Sequence, residues 1–278
     1  MAVFLAASAA LSWGWTEFLM IRAARQLHPV QLGVWLMVFG TALVLPFALA
    51  TSDMPRVDQL PVTMVPALVG LTATFLYYLA LGRGQLSIVS PTVATSGGFG
   101  AIMAVVFLGE RFSQFGLVGI VLAVVGVVLA AFTDRGSGSA AGVGWALLAA
   151  VFFGAYAVTL SFSTDEVGVA RTVAAFRITG LVILGFAAFA MRLPLRLNRR
   201  ELRLVLGTVT LETIGLLAFT AALDRGPVAI VSVIMAQFST VAVVLAALLL
   251  HERLRHHQWV GVALVIAATT LLATLQAS

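Results

Sequence analysis

The sequence predicts an all-α integral membrane protein, with ten transmembrane helices arranged as two inverted five-helix repeats. Three observations carry this. The 278 residues are 61% hydrophobic and 10% charged, with a mean hydropathy of +1.09, whereas a soluble domain carries about 25% charged and about 45–50% apolar residues. The apolar runs are near the roughly 20 residues that a helix needs to cross a bilayer core. They lack the polar–apolar alternation of barrel strands, so helices must satisfy their backbone groups in lipid. Finally, the chain repeats itself: Ala80-Leu81-Gly82-Arg83-Gly84 through Ser90 returns as Ala222-Leu223-Asp224-Arg225-Gly226 through Ser232, and Leu108-Gly109-Glu110-Arg111 as Leu250-His251-Glu252-Arg253. Aligned without a gap, residues 78–131 and 220–273 agree at 17 of 54 positions. A repeat of this kind in a membrane chain points to a transporter.

The ten segments run at approximately 2–22, 30–50, 62–81, 86–108, 114–132, 142–162, 169–191, 204–223, 228–250 and 257–275. Within the first, Ala7-Ser8-Ala9 resembles a signal cleavage site. No basic residue precedes Arg22, however, and the apolar run continues through that site, so the segment reads as a retained helix. Pro29, Asp53-Met54-Pro55-Arg56 and Arg83-Gly84 bound the second and third segments. In the fourth, Ser90-Pro91 removes a backbone donor. Gly97, Gly98 and Gly100 follow, which makes this helix the candidate moving element. Gly116, Gly119 and Gly126 in the fifth segment and Gly261 in the tenth suit close packing of those two helices, or a dimer contact.

The longest Gly/Ser stretch, Asp134-Arg135-Gly136-Ser137-Gly138-Ser139, reads as a linker. It divides the chain into units 1–134 and 140–278, each of five segments. Because five is odd, the second copy must start from the opposite membrane face, which inverts it relative to the first. Arginines are unevenly spread: Arg56, Arg111, Arg171 and Arg225 fall on one face, and Arg22, Arg25, Arg83, Arg135, Arg192, Arg196, Arg199, Arg200, Arg203, Arg253 and Arg255 on the other. The positive-inside rule assigns the second group to the cytoplasm and both termini to the outside.

This ten-segment plan resembles the EamA-type branch of the drug/metabolite transporter superfamily. The likeness rests on Trp13-Gly14 in the first segment, the Arg-Gly turns before segments four and nine, the Glu-Arg pairs after them, and Ala175-Phe176-Arg177. The first half has Leu36-Met37 where the family pattern carries that arginine. The resemblance implies two inverted repeats around a cavity lined by helices three, four, eight and nine. It also implies export of small metabolites, amino acids or drugs, and cytoplasmic termini. The arginine count gives the opposite orientation, so the two indications stand against each other.

Charged groups inside a span are costly and therefore functional candidates. Glu17 lies about 8 Å below one surface, Glu212 roughly 16 Å and Arg177 about 12 Å from the other, at 1.5 Å per residue. Arg177 and Glu212 are thus at similar depth on consecutive antiparallel helices. They form either a structural ion pair or a site where the planar guanidinium meets an anionic group of the substrate. Glu17 has no partner in its own helix and is a candidate for cycling protons, or for a hydrogen bond to a neighbouring hydroxyl. Trp13, Glu17 and Met20 share one helix face, which makes Trp13 either a cavity wall or a packed core residue. Tyr77 and Tyr78 either line the cavity or anchor at the interface. Thr95 and Gln237 occupy repeat-related positions suited to substrate contact or to interhelical hydrogen bonds.

Glu110-Arg111 and Glu252-Arg253 read as structural turns. His251, His256 and His257 sit at a surface without a carboxylate cage, so no metal is expected. The chain contains no Lys and no G-x-x-x-x-G-K-[ST] loop, which excludes direct ATP coupling within it; no cofactor is expected. No enzyme motif stands out. The arginines form no compact basic stripe with aromatics, so nucleic acid is not an expected partner. The expected partners are a small-molecule substrate and membrane lipid, in a monomer or homodimer in the cell membrane. The leading expectation is a secondary exporter of a small organic or amino-acid-like solute by alternating access, with proton coupling through Glu17 or Glu212. The alternatives are a multidrug cation/proton antiporter, or a lipid flippase or membrane scaffold.

Overall fold

The computed structural model describes residues 1–24, 26–51, 59–83, 86–131, 142–250 and 255–277. The linker around Asp134–Ser139, the Asp53–Arg56 turn, Arg25, Gly84, His251 and Glu252-Arg253 lie outside the described residues. The described residues form twelve helices and no strand. They are α1 (Ala2–Ala24), α2 (Pro29–Thr51), α3 (Leu60–Arg83), α4 (Leu86–Ala94), α5 (Ser96–Leu108) and α6 (Gln114–Ala131). After the linker come α7 (Val143–Val167), α8 (Val169–Ala190), α9 (Arg199–Leu223), α10 (Val228–Met235), α11 (Phe238–Leu250) and α12 (His256–Ala277). By length and composition, α1, α2, α3, α7, α8 and α9 can each cross a membrane; Thr92–Leu108, Gln114–Leu129, Val228–Ala242 and His256–Leu272 are shorter apolar stretches.

Local chemistry sets several of the boundaries. Asn198 caps α9: its side chain accepts from the Arg200 and Glu201 amides while the Glu201 carboxylate accepts from the Asn198 amide, a reciprocal capping box. Gly109 ends α5 in the left-handed conformation at φ 67°, open to glycine at little steric cost. Segments four and nine, each expected as one continuous helix, are instead two helices each, interrupted at Thr95 and at Ala236-Gln237.

Packing joins the parts of the chain before and after the linker. Helix α1 lies against α9, α3 against α7, α2 against α8 and α6 against α12. The α6–α12 contact uses Gly119, Gly126 and Gly261, whereas Gly116 faces only Phe112 and Ser113. A Cβ on Gly119 would meet Leu272 at 2.8 Å, and one on Gly126 would meet the Gly261 carbonyl at 3.0 Å. Lipid cannot reward apolar burial, so such close backbone approach supplies the contact energy. Large apolar side chains such as Phe107, Phe186 and Phe189 point outward, as a bilayer solvent permits.

Candidate functional site

The two helix interruptions are alike in detail. At the first, the Thr95 amide donates to the Thr92 carbonyl at 3.3 Å; at the second, the Gln237 amide donates to the Ile234 carbonyl at 3.1 Å. Each replaces an i→i−4 bond by an i→i−3 bond, and the two sites are repeat-equivalent, 142 residues apart. The Thr95 hydroxyl also donates to the Thr92 carbonyl at 2.6 Å. Gln237 is 4% exposed, and neither its side-chain Nε2 nor its side-chain Oε1 has a hydrogen-bond partner. The interrupted segments meet where α5 packs on α10. A Cβ on Gly97 would come within 2.7 Å of the Ala236 Cβ and 2.9 Å of the Ser232 carbonyl. Interrupted helices at corresponding positions of two repeats are where transporters commonly form their binding sites.

On α8, which packs against α2 and α9, Arg177 is 0% exposed. Its Nη2 donates to the Glu212 carboxylate of α9 and, at 2.9 Å, to the Thr213 hydroxyl. Nε and Nη1 have no hydrogen-bond partner. The guanidinium rests on Gly40 of α2, where a Cβ would approach Nε at 2.7 Å and Cζ at 2.8 Å. Gly180 of α8 gives the same kind of seat to Met37 of α2, with a Cβ–Sδ approach of 2.7 Å. Met37 and Gly40 stand 140 residues before Arg177 and Gly180, so the α2–α8 crossing repeats one steric device and carries a charge on one side alone. The Glu212 side chain keeps 19% exposure. Its backbone carbonyl accepts from the Trp13 indole of α1 at 3.3 Å, and Gly215 makes room for that ring.

A second carboxylate, Glu17, forms no ion pair among the described residues. One oxygen of Glu17, on α1, accepts from the Tyr77 hydroxyl of α3 and the Ser90 hydroxyl of α4, both at 2.9 Å. The other, Oε2, is buried and has no hydrogen-bond partner. Tyr77 and Tyr78 stack with centroids 6.2 Å apart. The Tyr78 hydroxyl points to the Met20 sulfur at 3.9 Å.

The family model for EamA-like transporters matches residues 1–132 and again residues 140–274. The chain belongs to the EamA-like transporter family. An uncharacterized transporter of Archaeoglobus fulgidus is 24% identical over 275 residues, covering 97% of each chain. A crystal structure of a protein superposes with a TM-score of 0.82 at 17% identity, over 99% of this chain and 96% of that one, a likeness of fold. As an EamA-like transporter this is a multi-pass membrane protein.

Within this EamA-like fold, Trp13, Glu17 and Met20 face inward together, as their spacing predicts. Arg177 and Glu212 meet, and Tyr77 turns its hydroxyl to the interior rather than to an interface. Thr95 satisfies its hydroxyl on its own helix. Sequence reasoning missed Thr213, Gly40 and the Ser90 contact with Glu17. The spacing of Met37 and Gly40, repeated as Arg177 and Gly180, was the available signal for Gly40. Tyr156, whose ring lies 5.7 Å from that of Phe176 and whose buried hydroxyl has no hydrogen-bond partner, carried no sequence signal.

Proposed function

We propose that the protein is a secondary transporter that moves a small organic or amino-acid-like solute outward across the cell membrane by alternating access. The units 1–134 and 140–278 act as inverted five-helix repeats, with ten membrane crossings once α4–α5 and α10–α11 are each counted as one. The observation that carries this reading is the pair of matched interruptions at Thr95 and Gln237, in a bundle that also holds two part-buried carboxylates, Glu17 and Glu212. The crossed packing of α1 with α9 and α3 with α7 supports it, because exchanging the two units exchanges these pairs.

In this reading Trp13, Glu17, Tyr78, Thr95, Arg177, Glu212 and Gln237 form the solute pathway. Arg177 holds Glu212 in one state. In the other its guanidinium takes an anionic group of the solute, for which the free Nε and Nη1 are available. Glu17 carries the coupling proton, with Tyr77 and Ser90 fixing the carboxylate so that Oε2 faces the pathway. The test is flux into proteoliposomes with and without a pH gradient. Glu17→Gln should abolish the gradient dependence; unchanged gradient-driven flux in both Glu17→Gln and Glu212→Gln would remove proton coupling.

One observation favours a second reading, a multidrug cation/proton antiporter. That function needs a pathway acid not neutralised by arginine. Glu212 fails this condition because of Arg177, but Glu17 meets it, since its partners here are hydroxyl groups. Competition of proton-driven flux by a lipophilic cation, lost in Glu17→Gln, would decide for this reading.

A further inference from the structure

At the membrane surface where α1 ends and α9 begins, a cavity of about 620 Å³ is lined by Arg22, Gln26, Arg199, Arg200, Arg203 and Leu204. The four arginines are exposed. None of them forms an ion pair among the described residues. The nearest acid in sequence, Glu201, is engaged with the Asn198 amide at 2.8 Å. The leading amides of α9 are also occupied, because Arg200 and Glu201 donate to the Asn198 side chain. A ligand here would meet guanidinium groups, not a bare helix end. Four such groups around one hollow present a dense set of donors matched to phosphate oxygens.

The surroundings say which phosphate. Arg22 tops a helix face that descends through Phe18 and Trp15, its guanidinium 4.5 Å from the Phe18 ring centroid. Trp15 meets Phe18 edge-on and is exposed. Arg203 tops a second face, where Leu206, Thr210 and Ile214 follow at helical spacing and are all exposed. Helices α1 and α9 pack together, with Leu19 in contact range of Gly207, so the two apolar faces flank one seam. An arginine-lined hollow above paired lipid-facing stripes fits a headgroup with its acyl chains, where a free anion would need only the hollow. Juxtamembrane basic clusters attract anionic lipid at the cytoplasmic leaflet, the side to which the arginine distribution assigns this surface.

We infer that the arginine-lined cavity between the end of α1 and the start of α9 is a binding site for an anionic glycerophospholipid of the surrounding bilayer. Its phosphate is held by Arg22, Arg199, Arg200 and Arg203, and its chains lie along the Trp15 and Leu206 faces. A lipid seated there would bridge the two helices that carry Glu17 and Glu212, and none of the residues that line its cavity is among those assigned to the solute pathway. The site does not depend on the identity of the solute.

The test uses the full chain in detergent, titrated with fluorescently labelled phosphatidylglycerol and, separately, phosphatidylcholine. The phosphatidylglycerol should bind at least about tenfold more tightly and weaken with salt, and each of Arg199→Gln, Arg200→Gln and Arg203→Gln should weaken it about fivefold. Arg225→Gln, at the other end of α9, should leave it unchanged. Equal binding of the two lipids, or equal loss in Arg225→Gln, would overturn the inference. So would full competition by soluble glycerol phosphate at matched concentration, which would mark a free-anion site. If the Gln variants do not fold, the lipid preference and salt dependence of the unaltered chain decide the question alone.

Discussion

Adding a methyl group at Gly40 should damage the protein far more than adding one at its repeat-related partner, Gly180. In Gly40→Ala the new Cβ would stand 2.7 Å from Arg177 Nε and 2.8 Å from Cζ, which no real contact tolerates, so the guanidinium must move by several tenths of an ångström. It is not free to do so: Glu212 and Thr213 hold it, and the residue is fully buried. The expected cost is about 1–3 kcal/mol for overpacking, rising toward the roughly 3–5 kcal/mol of a broken buried pair if the Glu212 contact is lost. In Gly180→Ala the intruding atom meets the Met37 sulfur at 2.7 Å. A thioether with three rotatable bonds can swing aside, and the cost should stay below about 1.5 kcal/mol. Thermal unfolding of both variants in detergent measures the difference. The cause is isolated by repeating Gly40→Ala in an Arg177→Met background, where most of its penalty should vanish. Equal penalties at Gly40 and Gly180, or a Gly40 penalty unchanged by Arg177→Met, would refute the reasoning.

Three further outcomes are expected. Arg177→Ala and Glu212→Ala should each be strongly destabilising, and the double variant should cost well under their sum, because one partner alone leaves a buried charge unpaired; additive costs would mean the pair contributes nothing as a pair. Tyr77→Phe should remove one of the two hydroxyls from Glu17, costing about 1.5–3 kcal/mol in thermal unfolding, with Tyr78→Phe costing less because its hydroxyl meets only a sulfur at 3.9 Å. Glu110 accepts from the Val228 and Ala229 amides at 2.6 and 3.1 Å and so fastens α10 to the end of α5; Glu110→Ala should lower the melting temperature, whereas the neighbouring exposed Arg111→Ala should not.

The helices themselves were legible, since composition and run length leave few alternatives in lipid. The Arg177–Glu212 contact was also within reach, because counting rise per residue gives both side chains similar depth on adjoining antiparallel helices. The positions of the interruptions were not. Pro91 drew attention to the fourth segment, but the break lies at Thr95, and its counterpart at Gln237 has no proline at all. What the two share is the meeting of α5 with α10, where Gly97 admits Ala236, and no local rule encodes that contact. The partners of Glu17 were likewise hidden. Tyr77 and Ser90 are 60 and 73 residues away, and which of two adjacent tyrosines reaches the carboxylate depends on the rotation of α3 about its axis. The seat of Arg177 on Gly40 left one trace in the sequence, the spacing of Met37 and Gly40 repeated as Arg177 and Gly180, but which residue faces which follows only from the α2–α8 crossing.

The claim at the centre of this account is that both faces of the membrane reach, in turn, the break between α10 and α11. The chain contains no cysteine, so a single cysteine replacing Gln237, buried at that break, can be probed with a membrane-impermeant thiol reagent added to either face of oriented vesicles. Alternating access predicts modification from both faces, with each rate responding to solute. A Gln237→Cys protein that folds normally yet reacts from neither face, or from one face only under every condition, would contradict it.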